Sequence, residues 1–388
     1  MMRDNYKRVK LGDISQIING GTPSTKEPSY WNGNIPWITP KDLSGYKEVY
    51  IEKGERTITE QGLKNSSAQI LPKNTILFSS RAPIGYVVIA SQEVSTNQGF
   101  KNLICDPNLV DYRYLYYWLK KNSSNIAKNA IGSTFAEISK FEMESIEISL
   151  PPLSEQKRIA NILSSFDNKI EQLKKENNIL ENIAQSIFKE WFVKYNFPNN
   201  DGKPYKDSGG KMIDSELGLI PDGWGVGKLG DYFPVRTGKR NANHARPNGK
   251  YKFFTCSQET FLCDEYSFDD GALLLAGNGD FNIKWYKGKF DAYQRTYVLI
   301  PYEQENLGYL YFLMKYYLND IIIGNRGSVI SFITKGMIED FRVSIPEKRI
   351  QDDGIRHLEI IRNKIEANKE EILNNYKAKD RLLKYLIT

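Results

Sequence analysis

Apolar side chains recur with a seven-residue period in two long stretches of the chain. In the first stretch the steps alternate between four and three residues, at Ile159, Leu163, Phe166, Ile170, Leu173, Asn177, Leu180, Ala184, Ile187 and Trp191. In the second stretch the positions are Leu358, Ile361, Ile365, Asn368, Ile372, Asn375, Lys379, Leu382 and Leu386. A sustained heptad pattern predicts two long helices that pack together as a left-handed coiled coil.

Asparagine interrupts both heptad seams. A buried Asn at a seam position lowers stability but fixes the register, so we expect Asn177 to face Asn368 or Asn375. The alternative is that each helix is amphipathic and packs on its own domain. Stretches of this length exceed what a domain of ordinary size (~100–150 residues) covers, which favours the coiled coil.

Shorter runs rich in β-branched and aromatic residues, bounded by Gly, Pro and Asn, predict strands. They lie at 73–80, 85–91 and 145–150 in the first half, and at 252–257, 272–277 and 341–346 in the second. Tyr-rich segments at 112–121 and 309–318 predict helices. This mixture indicates an α/β (α+β) fold.

Four segments of the first half return in the same order in the second half. The pairs are 9–14 with 227–232, 95–104 with 291–300, 114–120 with 309–315, and 132–151 with 327–346. In the last pair seven of the twenty aligned positions are identical. Conserved order across four matches indicates a tandem duplication. The segment 197–223, dense in Pro, Gly, Asn and Asp, predicts a linker between the copies.

The 388 residues carry a net charge of +6 and are 40% hydrophobic, which suits two or three globular domains. The mild positive charge permits a polyanionic partner without requiring one. Three cysteines (Cys105, Cys256 and Cys263) match no zinc spacing and indicate a reducing compartment. The first residues lack a secretory signal, and no apolar run approaches the ~18 residues of a membrane span. We therefore expect a cytoplasmic protein with no membrane segment.

No catalytic constellation or metal site stands out. The two histidines, His244 and His357, are far apart in sequence. The stretch 223–229 mimics a phosphate loop, but only three residues separate its outer glycines, and Leu229 stands where Ser or Thr would hold magnesium. The Gly-rich stretch 276–281 lacks the further glycine of a dinucleotide fingerprint. The sequence therefore predicts a binding protein rather than an enzyme.

Polar loops recur at corresponding places in both copies. In the first copy they are 19–43, 79–86, 95–101 and 131–135, and in the second 236–250, 277–282, 292–297 and 325–329. Their Arg, Lys, Asn, Gln, Ser and Thr side chains are the types that reach base edges and phosphates. Similar scaffolds with different loops suit an unsymmetrical two-part DNA target. For any single loop, a plain solvated surface is the simpler interpretation.

Several motifs resemble the specificity subunit of type I restriction-modification systems. They are GGTPS…YWNGNIPWITPKDL, STNQGF, GSTFAEIS…ISLPPLSEQKRIANILSSFDNKI and LGLIPDGWGVGKLGD. The resemblance covers nearly the whole chain, and PPLSEQKRIA is its most specific element. The second copy departs from the pattern, because IPEKRIQDDGIRHL replaces the Pro-Pro-Leu-x-Glu-Gln form.

The resemblance implies a pseudo-two-fold architecture of two target recognition domains separated by two long antiparallel coiled-coil helices. The expected segments are recognition domain 1 (1–150), the first long helix (151–196), a linker (197–223), recognition domain 2 (224–346) and the second long helix (347–388).

The resemblance also implies partners. Each recognition domain binds one half of an asymmetric target in double-stranded DNA, and the helices dock two adenine-methyltransferase subunits, through which restriction subunits join. S-adenosylmethionine, ATP and Mg are expected on the partner subunits and no cofactor on this chain.

Carried over residue by residue, the resemblance places the DNA contacts in the polar loops. In the first domain these are Thr22, Ser24, Lys26, Trp37, Lys41, Arg81, Asn97, Gln98, Ser133 and Thr134. In the second they are Thr237, Lys239, Arg240, Asn243, Asn278, Gln294, Arg295 and Ser328.

Two other functions are compatible with parts of the pattern. A single-chain DNA methyltransferase or nuclease would require a motif that the sequence does not display, and it predicts that the purified chain binds S-adenosylmethionine. A structural coiled-coil protein predicts no DNA retention at low salt, even with a methyltransferase partner.

Overall fold

The computed structural model describes residues 6–128, 137–323 and 332–387. The chain divides into two compact units: unit 1 comprises Met1–Lys174 with Glu370–Thr388, and unit 2 comprises Lys175–Lys369. Each unit therefore holds one recognition scaffold and a piece of each long helix.

Unit 1 is built around a five-stranded sheet. Its elements are β1 (Lys7–Lys10), α1 (Leu11–Ile14), β2 (Ser15–Asn19), β3 (Trp31–Ile38), β4 (Tyr50–Ile51), β5 (Arg56–Ile58), α2 (Glu60–Lys64), β6 (Ile76–Ser79), β7 (Val87–Ala90), β8 (Ser95–Thr96), β9 (Phe100–Cys105), α3 (Tyr112–Lys128), α4 (Lys140–Ser145) and β10 (Glu147–Leu150). The main sheet has the order β2-β9-β6-β7-β4, and β5-β3-β8 and β1-β10 form smaller sheets.

Both faces of the main sheet of unit 1 are buried, which explains its nearly continuous apolar strands. On one face Phe78 and Ile89 pack with Tyr114 of α3, and on the other Leu77 and Val88 pack beneath the loops. All of these side chains are at most 3% exposed. The strands and the Tyr-rich helix predicted for this half are confirmed.

Unit 2 repeats this plan. Its elements are β11 (Met212–Ser215), β12 (Gly218–Pro221), β13 (Gly225–Lys228), β14 (Val235–Thr237), β15 (Tyr251–Phe254), β16 (Thr260–Cys263), β17 (Phe268–Ala276), β18 (Ile283–Ala292), β19 (Thr296–Leu299), α6 (Leu307–Tyr316), α7 (Leu318–Ile323), α8 (Lys335–Glu339) and β20 (Arg342–Ile345). The main sheet has the order β14-β19-β17-β18-β15-β16, and β13-β20 pair separately.

Strand order confirms the duplication. The first five strands of the unit 2 sheet follow the same path as the five of unit 1, and in both units the strand at the fifth position pairs parallel with its neighbour. Unit 2 adds β16 at the edge, whereas unit 1 adds the small β5-β3-β8 sheet. The tandem copies therefore share a scaffold and differ in what is attached to it.

The segment 197–223 is folded. After a π-helical turn at Lys189–Val193, Phe197 stacks between Tyr205 and Trp224, with ring centroids 4.6 and 5.3 Å away. The strands β11 and β12 then form an antiparallel hairpin. Proline, glycine and asparagine here produce turns within a packed segment.

The two long helices are α5 (Leu153–Phe188) and α9 (Lys348–Leu386). Pro151 and Pro152 end β10 and lead into α5, because proline suits a helix start but not its interior. Gln156, 1% exposed, bonds the carbonyl of Pro151 at 2.8 Å and the amide of Asp111 at 2.9 Å. Gln351 is likewise buried near the start of α9, so the altered motif of the second copy still provides a glutamine there.

Within unit 1 the helices run antiparallel. The carboxylate of Asp167 pairs with Lys379, whereas the later residue Lys169 pairs with the earlier Glu371 at 3.2 Å. Within unit 2, Asn368 Nδ2 donates to Asn177 Oδ1 at 2.9 Å. The structure therefore places Asn368, and not Asn375, opposite Asn177.

Every predicted seam position is shielded from solvent. The buried ones are Ile159, Leu163, Ile170, Leu173, Ala184, Leu358, Ile365 and Asn368, and the half-buried ones are Phe166, Asn177, Leu180, Ile187, Trp191, Ile361, Ile372, Asn375, Lys379, Leu382 and Leu386. Ile159 and Leu163 belong to the core of unit 1, and Leu358 to that of unit 2. Each helix thus packs on a globular core as well as on the other helix. The coiled coil and the packing of amphipathic helices on domains, which the sequence presented as alternatives, are therefore both present.

Candidate nucleic-acid interface

Unit 1 contains an open cleft of about 1090 Å³. It lies where β2 and β6 end and β9 begins, and its lining is Asn19, Gly20, Ser67, Gln69, Arg81, Gln98, Lys101, Glu137, Ser139, Lys140, Phe141 and Glu142. We call it cleft 1. Three of these side chains are cationic and two are carboxylates, so the cleft presents donors and acceptors together.

A buried lysine organises cleft 1. Lys101 lies on β9 and is 4% exposed, and its Nζ donates to Glu137 Oε1 at 3.2 Å and to Ser80 Oγ at 3.3 Å. The other carboxylate oxygen of Glu137 accepts from Arg81 Nε at 2.9 Å. Burial raises the pKa of the Glu137 carboxyl, but the hydrogen bonds from Arg81 and Lys101 outweigh it and hold the pKa below its ordinary value.

Unit 2 contains a smaller cleft of about 500 Å³, which we call cleft 2. Its lining is Thr237, Gly277, Asn278, Gln294, Arg295, Tyr297, Phe332 and Ile333. Tyr297 donates its hydroxyl to the carbonyl of Ile333 at 2.8 Å. Among these lining residues Arg295 alone is charged, so cleft 2 is more neutral and more aromatic than cleft 1.

The two clefts occupy equivalent places on the duplicated scaffold. An isolated antiparallel bridge joins Arg81 to Glu137 in unit 1 and Asn278 to Phe332 in unit 2. Strand register makes Lys101 equivalent to Tyr297. Lys101 is the second residue of β9 in its pairing with β6, and Tyr297 is the second residue of β19 in its pairing with β17. The same register makes Asn19 equivalent to Thr237 and Gln98 to Gln294. Of these five paired positions, only the glutamine keeps its identity.

Six predicted contact residues line the clefts. Arg81 and Gln98 do so in unit 1, and Thr237, Asn278, Gln294 and Arg295 do so in unit 2. Thr22 lies beside cleft 1 and donates its hydroxyl to Gln98 Oε1. Residues far apart in sequence therefore meet at one place in each unit.

The prediction that Trp37 contacts DNA is wrong, because its side chain is buried. Its side chain is 4% exposed, packs edge-on against Trp31 at 5.0 Å, and donates its indole N–H to the carbonyl of Gly21 at 2.9 Å. A buried ring with a satisfied N–H supports the loop from below and offers no stacking face. Asn97 is half-buried and uses its amide oxygen within its own turn, accepting from the amide of Gly99 at 3.0 Å.

The remaining predicted residues of unit 1 that the structure describes are exposed and lie outside the cleft lining. Ser24 and Lys26 lie on the loop before β3. Lys41 forms a 3.0 Å ion pair with Glu55 on the surface. Ser133 and Thr134 lie outside the described residues.

Arg240 forms two ion pairs within its own unit, and its contact with DNA stays a prediction. Its Nε pairs at 3.0 Å with Asp291, a fully buried carboxylate, and its Nη2 pairs at 2.7 Å with Glu265. The hydrogen bond to Asp291 raises the pKa of the guanidinium. Arg240 thus balances a buried charge inside its own unit. Lys239 and Asn243 are exposed, and Ser328 lies outside the described residues.

Sequence reasoning missed Lys101, Glu137, Tyr297 and Phe332. Two of them fall inside the aligned segments 132–151 and 327–346, where position 137 corresponds to position 332. The signal available in the sequence was the change from Glu137 to Phe332 at aligned positions, because a large change of chemistry on a shared scaffold marks a residue that can recognise a different ligand.

Over residues 6–128, 137–323 and 332–387, no group of three or more His, Cys, Asp or Glu side chains is arranged to hold a metal ion. In the same described ranges, no helix is both long and apolar enough to cross a bilayer.

Two equivalent clefts with different linings on one duplicated scaffold are the geometry of a protein with two separate recognition sites. The model of the type I restriction modification DNA specificity domain matches residues 3–182 and 221–375. The chain is 36% identical over 407 aligned residues to the type I restriction enzyme MjaIX specificity subunit of Methanocaldococcus jannaschii, covering 97% of this chain and 91% of that protein.

The type I restriction enzyme EcoDI specificity subunit of Escherichia coli is 39% identical over 155 residues, which cover 40% of this chain and 35% of that protein. The crystal structure of the type I restriction-modification S subunit from M. genitalium superposes with a TM-score of 0.62 at 18% identity, covering 99% of this chain and 96% of that one. At that identity the likeness concerns the fold.

The chain therefore belongs to the type I restriction-modification DNA specificity family. Its role is that of the specificity subunit, with two recognition domains, and not that of a catalytic subunit.

Proposed function

We propose that this chain binds an asymmetric two-part sequence in double-stranded DNA, one part in each cleft, and presents it to adenine-methyltransferase subunits. The observation that supports this proposal is that the two clefts lie at equivalent places on a shared scaffold but have different linings. Identical linings would suit a palindrome, whereas a charged cleft 1 and a neutral, aromatic cleft 2 suit two different half-sites.

We further propose that two methyltransferase subunits dock on the long helices and that restriction subunits join through them. In unit 2, Ile179 and Ile183 lie one turn apart on α5 and are 59% and 44% exposed, and Ile360 of α9 is 62% exposed. Two apolar side chains exposed one turn apart on α5 suit a protein partner. S-adenosylmethionine, ATP and Mg are assigned to those partner subunits, with no cofactor on this chain.

The test is to co-express the full chain with its methyltransferase partner and map methylated adenines in the host genome. A split motif with two unlike halves is expected, and the purified chain alone should methylate nothing. A palindromic or continuous motif, or methylation by the chain alone, would contradict the proposal. The variant I179D/I183D should lose co-purification of the partner, while Y302D, which changes an exposed aromatic side chain outside the long helices, should retain it.

A further inference from the structure

In each unit one pair of residues is joined across the cleft lining by an isolated antiparallel β-bridge. The pair is Arg81 with Glu137 in unit 1 and Asn278 with Phe332 in unit 2, and we call each a bridge pair. In both units the residue after the second member donates its amide to the strand end: Ile138 to Ser80 at 3.0 Å and Ile333 to Gly277 at 2.8 Å. Two side chains are thus held side by side on a backbone fixed by hydrogen bonds.

The bridge pair of unit 1 is complementary to a G·C base pair. Arg81 uses Nε for Glu137, which leaves its two terminal amino groups for other acceptors, and its side chain is 53% exposed. Arginine donates two hydrogen bonds to O6 and N7 of guanine, and a carboxylate accepts from N4 of cytosine. The bases of one pair lie side by side in the major groove, as Arg81 and Glu137 do in the cleft.

The bridge pair of unit 2 is complementary to an A·T base pair. Asn278 is half-buried and Phe332 is 60% exposed. An asparagine amide forms two hydrogen bonds with N6 and N7 of adenine, and an aromatic ring contacts the thymine methyl group. The same two backbone positions therefore carry side chains suited to a G·C pair in unit 1 and to an A·T pair in unit 2.

We propose that each bridge pair reads one base pair of its half-site: Arg81 and Glu137 read G·C, and Asn278 and Phe332 read A·T. This inference rests on the proposed function and deepens it, because it assigns base identity to particular side chains. Lys101 is a positioning residue, since it orients the Glu137 carboxylate from beneath and is itself buried.

A purely structural role is the competing explanation. The Arg81–Glu137 ion pair could serve only to fasten two loop ends, as many surface ion pairs do. That explanation covers the ion pair of unit 1 but assigns no role to the equivalent pair of unit 2, because Asn278 and Phe332 form no ion pair.

The experiment exchanges the bridge pairs in the full chain, co-expressed with the methyltransferase partner, and maps the methylated motif. The variant R81N/E137F should convert one G·C position of the first half-site to A·T and leave the second half-site unchanged. The reciprocal variant N278R/F332E should convert one A·T position of the second half-site and leave the first unchanged. The new base pair should be preferred about 10- to 100-fold. The matched control is R342N/E216F, an Arg–Glu ion pair of similar exposure that lies outside both clefts and both long helices, and it should leave every base of the motif unchanged.

A second measurement covers exchange variants that do not fold. Wild type and F332A are compared in complex with the partner on duplexes in which each thymine of the second half-site is replaced in turn by uracil, which removes only the methyl group. Wild type should lose affinity several-fold at one position, and F332A should lose nothing there. R81K should lower discrimination for one guanine of the first half-site.

The outcomes separate the two levels of inference. If wild type yields a split motif but active exchange variants keep every base, or if uracil is tolerated at every position, the bridge pairs do not read bases. If wild type yields no split motif, the proposed function itself fails, whatever the variants do.

Discussion

Replacing the buried asparagine pair of unit 2 with leucine should affect the two sites unequally. Asn368 is 1% exposed and donates to Asn177, which is half-buried. In N177L the amide of Asn368 loses its partner while remaining out of reach of water, which costs about 1–3 kcal/mol. In N368L the remaining amide of Asn177 can still bond solvent, and the gain from burying a larger, apolar side chain of the same branched shape offsets the cost of fitting it, so the change should be within ~1 kcal/mol of zero.

The double variant N177L/N368L completes the cycle. With both amides removed the seam is wholly apolar, so its stability should equal or exceed that of wild type, as replacing buried polar groups with packed apolar ones often does. The coupling energy from the cycle should therefore be about 1–3 kcal/mol. The double variant also lacks the buried hydrogen bond that fixes how the two helices align along their length.

The assay is equilibrium urea unfolding of the full chain, with hydrogen–deuterium exchange of peptides around 360–369 to localise the change to this part of α9. The order of stability expected is N177L lowest, then N368L, then the double variant. If N368L were the less stable single variant, or if the double variant lost the sum of both, the hydrogen bond would not be the interaction that matters here. The exposed helix positions Asn178 on α5 and Asn374 on α9 provide the control, because leucine there should change stability little.

Three further predictions concern DNA binding and folding. DNA affinity should fall steeply with salt, and K26A, which removes an exposed charge, should flatten the slope if Lys26 contacts phosphate; an unchanged slope excludes it. Replacing 225–343 with the corresponding region of a relative should change one half of the methylated motif only, and a change in both halves would show that the units do not read independently. The pKa of Glu137 lies below its ordinary value of 4.5, so the unfolded chain takes up a proton at this carboxyl more readily than the folded chain. The stability that the ionised carboxylate adds is complete above that value and is lost as the pH falls through the lower folded pKa. Thermal melts of wild type and E137Q should therefore converge in acid.

Periodicity and repetition predicted most of the scaffold. The heptad seam gave both long helices, and the paired segments placed Gln98 and Gln294 at equivalent positions in two clefts. The choice between Asn368 and Asn375 required the relative shift of two helices far apart in sequence, which no local pattern encodes. Their facing positions follow from tertiary packing alone.

The errors in the recognition loops have a common physical origin. Trp37 stands in a polar, turn-rich stretch and resembles a stacking residue, but β3 pairs with β8 and draws the ring into a small core. Lys101 resembles a solvated strand residue, yet its strand is covered on both faces and its charge is met by Glu137, 36 residues away. Non-local strand pairing decides which polar residues in these loops are accessible.

Unit 2 is one continuous stretch of chain, whereas unit 1 takes Ile387 of its last segment into its core, where that side chain is fully buried. Synthesis on the ribosome therefore completes the second recognition scaffold first. The first scaffold waits for the ~200 residues after position 174, which at ordinary translation rates takes roughly 10–40 s. During that interval its apolar face, including Leu163, lacks its final cover. Nascent chains of this protein are thus expected to bind holdase chaperones through the half that is made first.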